Sequence, residues 1–184
     1  VCHIDNLFLI GMITLMHTQA QLTNTYYYGI INPCDWGSSA GFAGQARHPD
    51  EITKELAHKR VAVGDVGVSL NSTIDTFVHE VGHNQGFQHV PCTGTEGNPV
   101  EDYPVENGLI GSFGFDFSDW EIKLPTHADY MSYCGPSWAS HYSWQKALPV
   151  IETLSSWDLE DNPDPEGHML IGSMHEDGTE TWWV

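Results

Sequence analysis

The chain has 184 residues and a 40% apolar share, enough for one ordinary domain with its own core. Its formal charge is −19, with six Lys and Arg against 25 Asp and Glu. That balance excludes nucleic-acid binding, which needs clustered cations, and disfavours anionic lipid surfaces. No stretch reaches the roughly 18 apolar residues of a membrane-spanning helix.

In chain order, the apolar positions Leu7, Ile10, Met12, Ile13, Leu15, Met16 and Leu22 predict a helix over 5–22, with Asp5 as cap. Gly11, Thr14 and the lack of a basic flank argue against a signal peptide here, so any export signal would lie upstream. Tyr26 to Ile31 read as a strand stopped by Asn32 and Pro33. Residues 35–46 are a Gly, Ser and Ala-rich loop ending in a short strand from Gly41 to Ala46, and residues 47–60 read as a surface loop. Val61 to Leu70 has the small and β-branched residues of a buried strand. Asn71, Ser72 and Thr73 are helix starters, and the helix they open runs from Thr73 to Gln85 before stopping at Gly86.

Residues 91–119 form a long Gly, Pro and Asp-rich connection of the kind that is usually functional or mobile. A further helix begins near Ser140 and is expected to end before Pro149. Past residue 147 there is no Lys or Arg. The run from Asp161 to Pro165 reads as a linker, and residues 168–174 and 179–184 flank Glu176-Asp177-Gly178 as the arms of a β-hairpin. The organisation is therefore a main domain over 1–150 and a tail over 151–184, whose hairpin either docks on the domain or opens a β-rich module.

The acidic residues admit two readings, solubility or calcium binding, and no loop has the EF-hand pattern. The four cysteines, Cys2, Cys34, Cys92 and Cys134, contain no CxxC pair. They read either as two disulfides of an exported protein or as four buried thiols.

The chemistry concentrates in the segment from His79 to His89. His79 and His83 are four apart, so on a helix both imidazoles face one ion from adjacent turns. Glu80 stands beside the first of them, where a carboxylate meets a metal-bound water without ligating the metal. A straight helix would carry His89 away, but Gly86 allows the chain to turn and bring it back as a third ligand. The other reading is an ordinary amphipathic helix that happens to carry histidines.

The eleven residues from His79 to His89 spell HExxHxxGxxH, and the chain thereby resembles the metzincin zinc peptidases. Ala128-Asp129-Tyr130-Met131-Ser132-Tyr133-Cys134 is similar to their Met-turn, which implies that Met131 forms an apolar floor under the histidines. Met131-Ser132-Tyr133 looks like the serralysin and astacin form. His83-Asn84 and the stretch from Tyr27 to Ala46 look more like the adamalysin branch, and the mixture points to a bacterial exported member. On the first likeness Tyr133 is a fifth ligand or an oxyanion stabiliser. On the second it is a packed ring with its hydroxyl bonded to backbone.

The resemblance covers about residues 5–150. It implies an α+β fold with a twisted mixed sheet of four or five strands, a long helix behind it, the zinc helix along a cleft floor, and a smaller part after Gly86. The strand ending at Ala46 would pair with an extended protein or peptide substrate. Cys92 follows the third ligand by three residues and Cys134 follows Met131 by three, so a Cys92–Cys134 bridge is expected, with Cys2–Cys34 as the other. The function implied is a secreted, monomeric zinc endopeptidase. Two other readings stay open: a zinc-holding module that binds a surface glycoprotein without turnover, and a zinc hydrolase for small esters or amides. His3, His17, His48, His58, His168 and His175 lack ligand spacing. His127 and His141 flank the Met-turn and read as surface or structural, as do Asp102, Asp116 and Asp119.

Overall fold

A computed structural model describes residues 6–20, 22–31, 43–66, 69–94, 96–161, 171–174 and 180–183, with backbone alone for 6–8 and from 158 on. It is α+β. Helix α1 (Asn6–Ala20) leads to β1 (Tyr27–Ile31), β2 (Gly44–Ala46) and β3 (Val61–Asp65), then to α2 (Leu70–Asn84). After α2 come two short pairs, β4 (Gly114–Asp116) with β5 (Glu121–Lys123) and β6 (Ala128–Asp129) with β7 (Ser137–Trp138). Helix α3 (His141–Asp161) follows, and β8 (Ile171–Met174) pairs antiparallel with β9 (Glu180–Trp183). The hairpin arms are thus present, while its Asp-Gly turn lies outside the described residues, as do Asp5, Cys2 and Cys34.

The main sheet has the order β1-β3-β2, with β1 parallel and β2 antiparallel to β3. Among the described residues it has three strands, not four or five. The polar run 47–60 adds no strand but a 3-10 turn at Ala57–Lys59. Nor is that run all surface: Arg60 is fully buried, and its guanidinium donates to the carbonyls of Thr23 and Thr53. Val61, Ala62 and Val63 are fully buried in the central strand. Ile10 and Ile13 of α1 pack on Val61 and Val63 and close the first core. Among the described α1 side chains the buried ones, Ile10, Ile13 and His17, follow helical spacing. His17 is structural, since its Nε2 meets the Thr25 carbonyl at 2.9 Å.

Three boundaries differ from expectation. Strand β3 ends at Asp65 and Leu70 already belongs to α2, because Ser69 rather than Asn71 to Thr73 caps the helix. Ser69 Oγ accepts from the Ser72 amide, and Ser72 Oγ accepts from the Ser69 amide, a reciprocal box that satisfies two orphan donors. Helix α3 runs through Pro149 to Asp161. Proline removes one intrahelical donor, but Ala147 and Leu154, one face apart by two turns, are both buried and hold the helix on either side. Ser140 Oγ caps α3 by accepting from the Ser143 amide.

A second core of Phe87, Val90, Met131 and Ala147 lies below the first, with Val100, Tyr103 and Tyr130 against it. Helix α2 joins the two. Asn84, fully buried near its end, donates to the carbonyls of Arg47 at 2.7 Å and Val61 at 3.0 Å. This ties the end of α2 to the strands beside it. Among the described residues no helix is long and apolar enough to cross a membrane.

Candidate metal centre

Helix α2 puts His79 and His83 one turn apart on one face, with ring centroids 4.8 Å apart. The helix then stops in a Schellman arrangement. Gly86 takes φ +85°, its amide bonds to His83 O, and the Phe87 amide bonds to Gly82 O. This reverses the chain and returns His89 to the same place. One nitrogen from each of the three histidines lies within 4.8 Å of the others, a group that could hold a metal ion.

The hydrogen bonds decide which nitrogens face inward. His79 Nδ1 meets Tyr130 O at 3.0 Å, His83 Nδ1 meets Phe87 O at 2.7 Å, and His89 Nδ1 meets Gly97 O at 2.9 Å. A carbonyl accepts only, so each Nδ1 carries the proton and each Nε2 keeps a lone pair. His83 Nε2 and His89 Nε2 then face each other at 3.1 Å. Two lone pairs aimed at one point repel, and a cation between them turns repulsion into coordination. His79 and His83 are also kept neutral. Burial, then the neighbouring His79, drives His83 down to about 4, and burial likewise lowers His79. Neutral imidazole is the ligand form.

Glu80 lines the same cleft as the three histidines, on its β2 side. It is buried beside the backbone of Gly44, where a Cβ would come within 2.6 Å of its Cγ. Burial pushes its carboxyl up to about 7. The Tyr133 hydroxyl reaches His89 Nε2 at 3.0 Å, and since His89 Nδ1 donates to Gly97, the phenol donates here. Burial, then the carboxylates of Glu80 and Glu96, holds its pKa above the ordinary value, so it stays a donor. Its partner is thus a candidate ligand rather than backbone.

Met131 is fully buried. It lies under Gly82, so close that a Cβ there would overlap its sulfur. Its turn is organised by Asp129, which is fully buried: Oδ1 accepts from the Met131 amide at 2.8 Å, and Oδ2 accepts from Ser143 Oγ at 2.7 Å. The Val90 amide bonds to Met131 O at 3.0 Å, which joins the turn to the chain leaving His89.

Cys92 and Cys134 form a disulfide. At a sequence separation of 42, closing that loop is worth about 4 kcal/mol by chain-entropy reckoning. The double Cys92→Ser, Cys134→Ser variant is therefore expected to lose about that much in denaturant unfolding, and no measurable loss would deny the bridge a stabilising role. Cys92 also begins a turn closed by Glu96. That buried carboxylate accepts from the amides of Cys92 at 3.1 Å, Thr93 at 2.7 Å and Gly94 at 2.8 Å, and from Thr93 Oγ1 at 2.7 Å. Burial alone would raise its pKa, but these bonds outweigh it and hold the carboxyl near 2. The next residue, Gly97, supplies the carbonyl that orients His89. Glu96→Ala is expected to weaken metal binding about tenfold, as loss of an orienting partner does. Unchanged affinity in a competition titration would restrict Glu96 to folding.

The ligand row borders a cleft of about 760 Å³, also lined by Gly44, Ala46, Asp75, Tyr133, Gly135 and Ser137. His48 approaches His83 at 6.3 Å between ring centroids without joining the ligand group. His127 bonds to Leu124 O, His141 is exposed at the start of α3, and Asp102 accepts from the Tyr142 hydroxyl. Asp116 and Asp119 pair with Lys123, and no calcium-like group appears among the described residues. Gly44, Gly82, Asn84 and Glu96 escaped the sequence reading as site residues. The one available signal was a glycine inside a helix, Gly82, which costs about 1 kcal/mol unless something needs the space. Compared with known proteins, the chain matches no protein-family model and no curated sequence.

Proposed function

We propose that this chain is a zinc endopeptidase of the metzincin type, acting on extended polypeptides. One observation carries the reading: three imidazole Nε2 atoms converge, each fixed by a backbone carbonyl, beside one buried carboxylate in an open cleft. Three neutral imidazoles suit zinc, with a further coordination position left for the reaction. Bound there, zinc supplies Lewis acidity, polarising the scissile carbonyl and acidifying water.

The chain's own groups do the rest. Glu80, a carboxylate in the cleft beside the ligand row, is placed to take a proton from the attacking water and pass it to the departing amine. Tyr133 aims its hydroxyl at the ligand cluster, where it can donate to the oxygen that gains charge as the carbonyl is attacked. Strand β2 is at the edge of its sheet among the described residues and lines the cleft, so its main chain can pair with an extended substrate. The disulfide fits an oxidising compartment and hence an exported protein.

The test is incubation of the zinc-loaded protein with an unfolded, alkylated protein, followed by mass spectrometry of the products. Internal cleavages suppressed by a chelator are the expected result. Bound zinc without cleavage would replace this reading by a binding module. Turnover confined to small esters would favour a hydrolase of small molecules.

A further inference from the structure

The β4–β5 hairpin is built inside out. Phe115 pairs with Ile122, so the two side chains share a face; Phe117 and Trp120 in the turn bring their rings to Phe115, and Phe113 and Leu124 flank the two strands. All six are exposed, Phe117 by 77% and Trp120 by 76%. Phe115 touches Phe117 and Trp120 with centroids 4.9 and 6.0 Å apart, so the rings form one patch. The opposite face turns to the protein and is polar. There Lys123 is largely buried, bonds to Asp116 and Glu121, and lies 5.4 Å from the Trp138 ring centroid. Gly114 abuts the same indole so closely that no side chain fits.

A hairpin that only needed to stay folded would bury its aromatic face and leave Lys123 in water. Contiguous exposed apolar surface rimmed by polar groups marks an interaction site. Charge then selects the occupant. The hairpin's single cation, Lys123, pairs with Asp116, Asp119 and Glu121, so three carboxylates share one ammonium and the hairpin is net negative, with Asp119 and Glu121 still exposed. The whole chain carries −19. A second copy and an anionic lipid surface are both repelled, while a cationic segment is attracted.

We propose that the outward face of this hairpin docks a polypeptide segment whose apolar side chains are flanked by lysine or arginine. Phe117 and Trp120, the most exposed, are the anchors. This surface is separate from the residues lining the cleft and does not depend on turnover there.

The test uses a fluorescent 20-residue peptide of leucine and lysine, titrated with the full chain carrying Glu80→Gln so that cleavage does not intervene. Saturable binding is expected, weakening with salt as a charged rim requires. Adding Phe117→Ser and Trp120→Ser should reduce affinity about 30-fold or more with circular dichroism unchanged. Binding unaffected by the two substitutions, or no binding, would overturn the proposal. So would binding of phosphatidylcholine vesicles in place of the peptide, or a dimer in sedimentation that the same substitutions abolish.

Discussion

Glu80→Gln is expected to lower kcat by about 10²–10⁴-fold while the zinc content stays at that of the parent. Glutamine keeps the shape that packs against Gly44 but cannot accept the proton of water. Loss of turnover with unchanged metal content separates this residue from His79, His83 and His89, whose removal should take the metal away. The same substitution has a signature in stability. Burial raises the folded Glu80 carboxyl from its ordinary 4.5 to about 7. Between those values the folded state binds more protons than the unfolded state, so the Glu80 contribution to stability falls as pH rises through the window. Chelator-treated Glu80→Gln should lack that fall and be at least as stable as the parent at pH 8. Thermal melts at pH 5 and 8 measure it. A variant that still cleaves peptide at the parental rate would remove Glu80 from the mechanism.

The second large effect concerns the floor of the site. Met131→Ala is expected to cost about 2–5 kcal/mol, since a fully buried side chain leaves a cavity. Gly82→Ala gains up to about 1 kcal/mol of helix propensity, but it drives a methyl group into the Met131 sulfur. Overpacking of this kind costs about 1–3 kcal/mol, so the net change is destabilising. The two sites are coupled by one contact. In the Met131→Ala background the Gly82 methyl enters space already vacated, and the double variant should be more stable than the sum of the single effects by at least about 1 kcal/mol. Denaturant midpoints of all four proteins decide it. Strict additivity would mean that Met131 is not held against α2.

The metal group was legible because helical geometry and one glycine suffice to specify it. A spacing of four fixes His79 and His83 on one face, and Gly86 at positive φ is the residue the reversal needs. The Cys92–Cys134 bridge followed from the two anchors at the same place, and β1 and β3 were legible from their apolar runs. What escaped depends on contacts between distant segments. Gly44 and Gly82 matter through what lies opposite them, Glu80 and Met131, and only Gly82 carries a local sign, as a glycine inside a helix. The Glu96 turn depends on a carboxylate folding back on three amides. Helix α3 outlasted its proline because tertiary burial outweighed a local rule. Strand β4 lay within the 91–119 stretch that read as a long connection and β5 just past it, and only the pairing of Phe115 with Ile122 and the ring contacts of Phe117 and Trp120 reveal an exposed aromatic patch.

The most direct measurement is a zinc titration of chelator-stripped protein with peptide hydrolysis as the readout. Activity should rise linearly to one zinc per chain and then level, and a His83→Ala variant should show no rise. Full hydrolysis by the stripped protein, or stoichiometric zinc binding that restores none, would contradict the assignment of this site to peptide-bond hydrolysis.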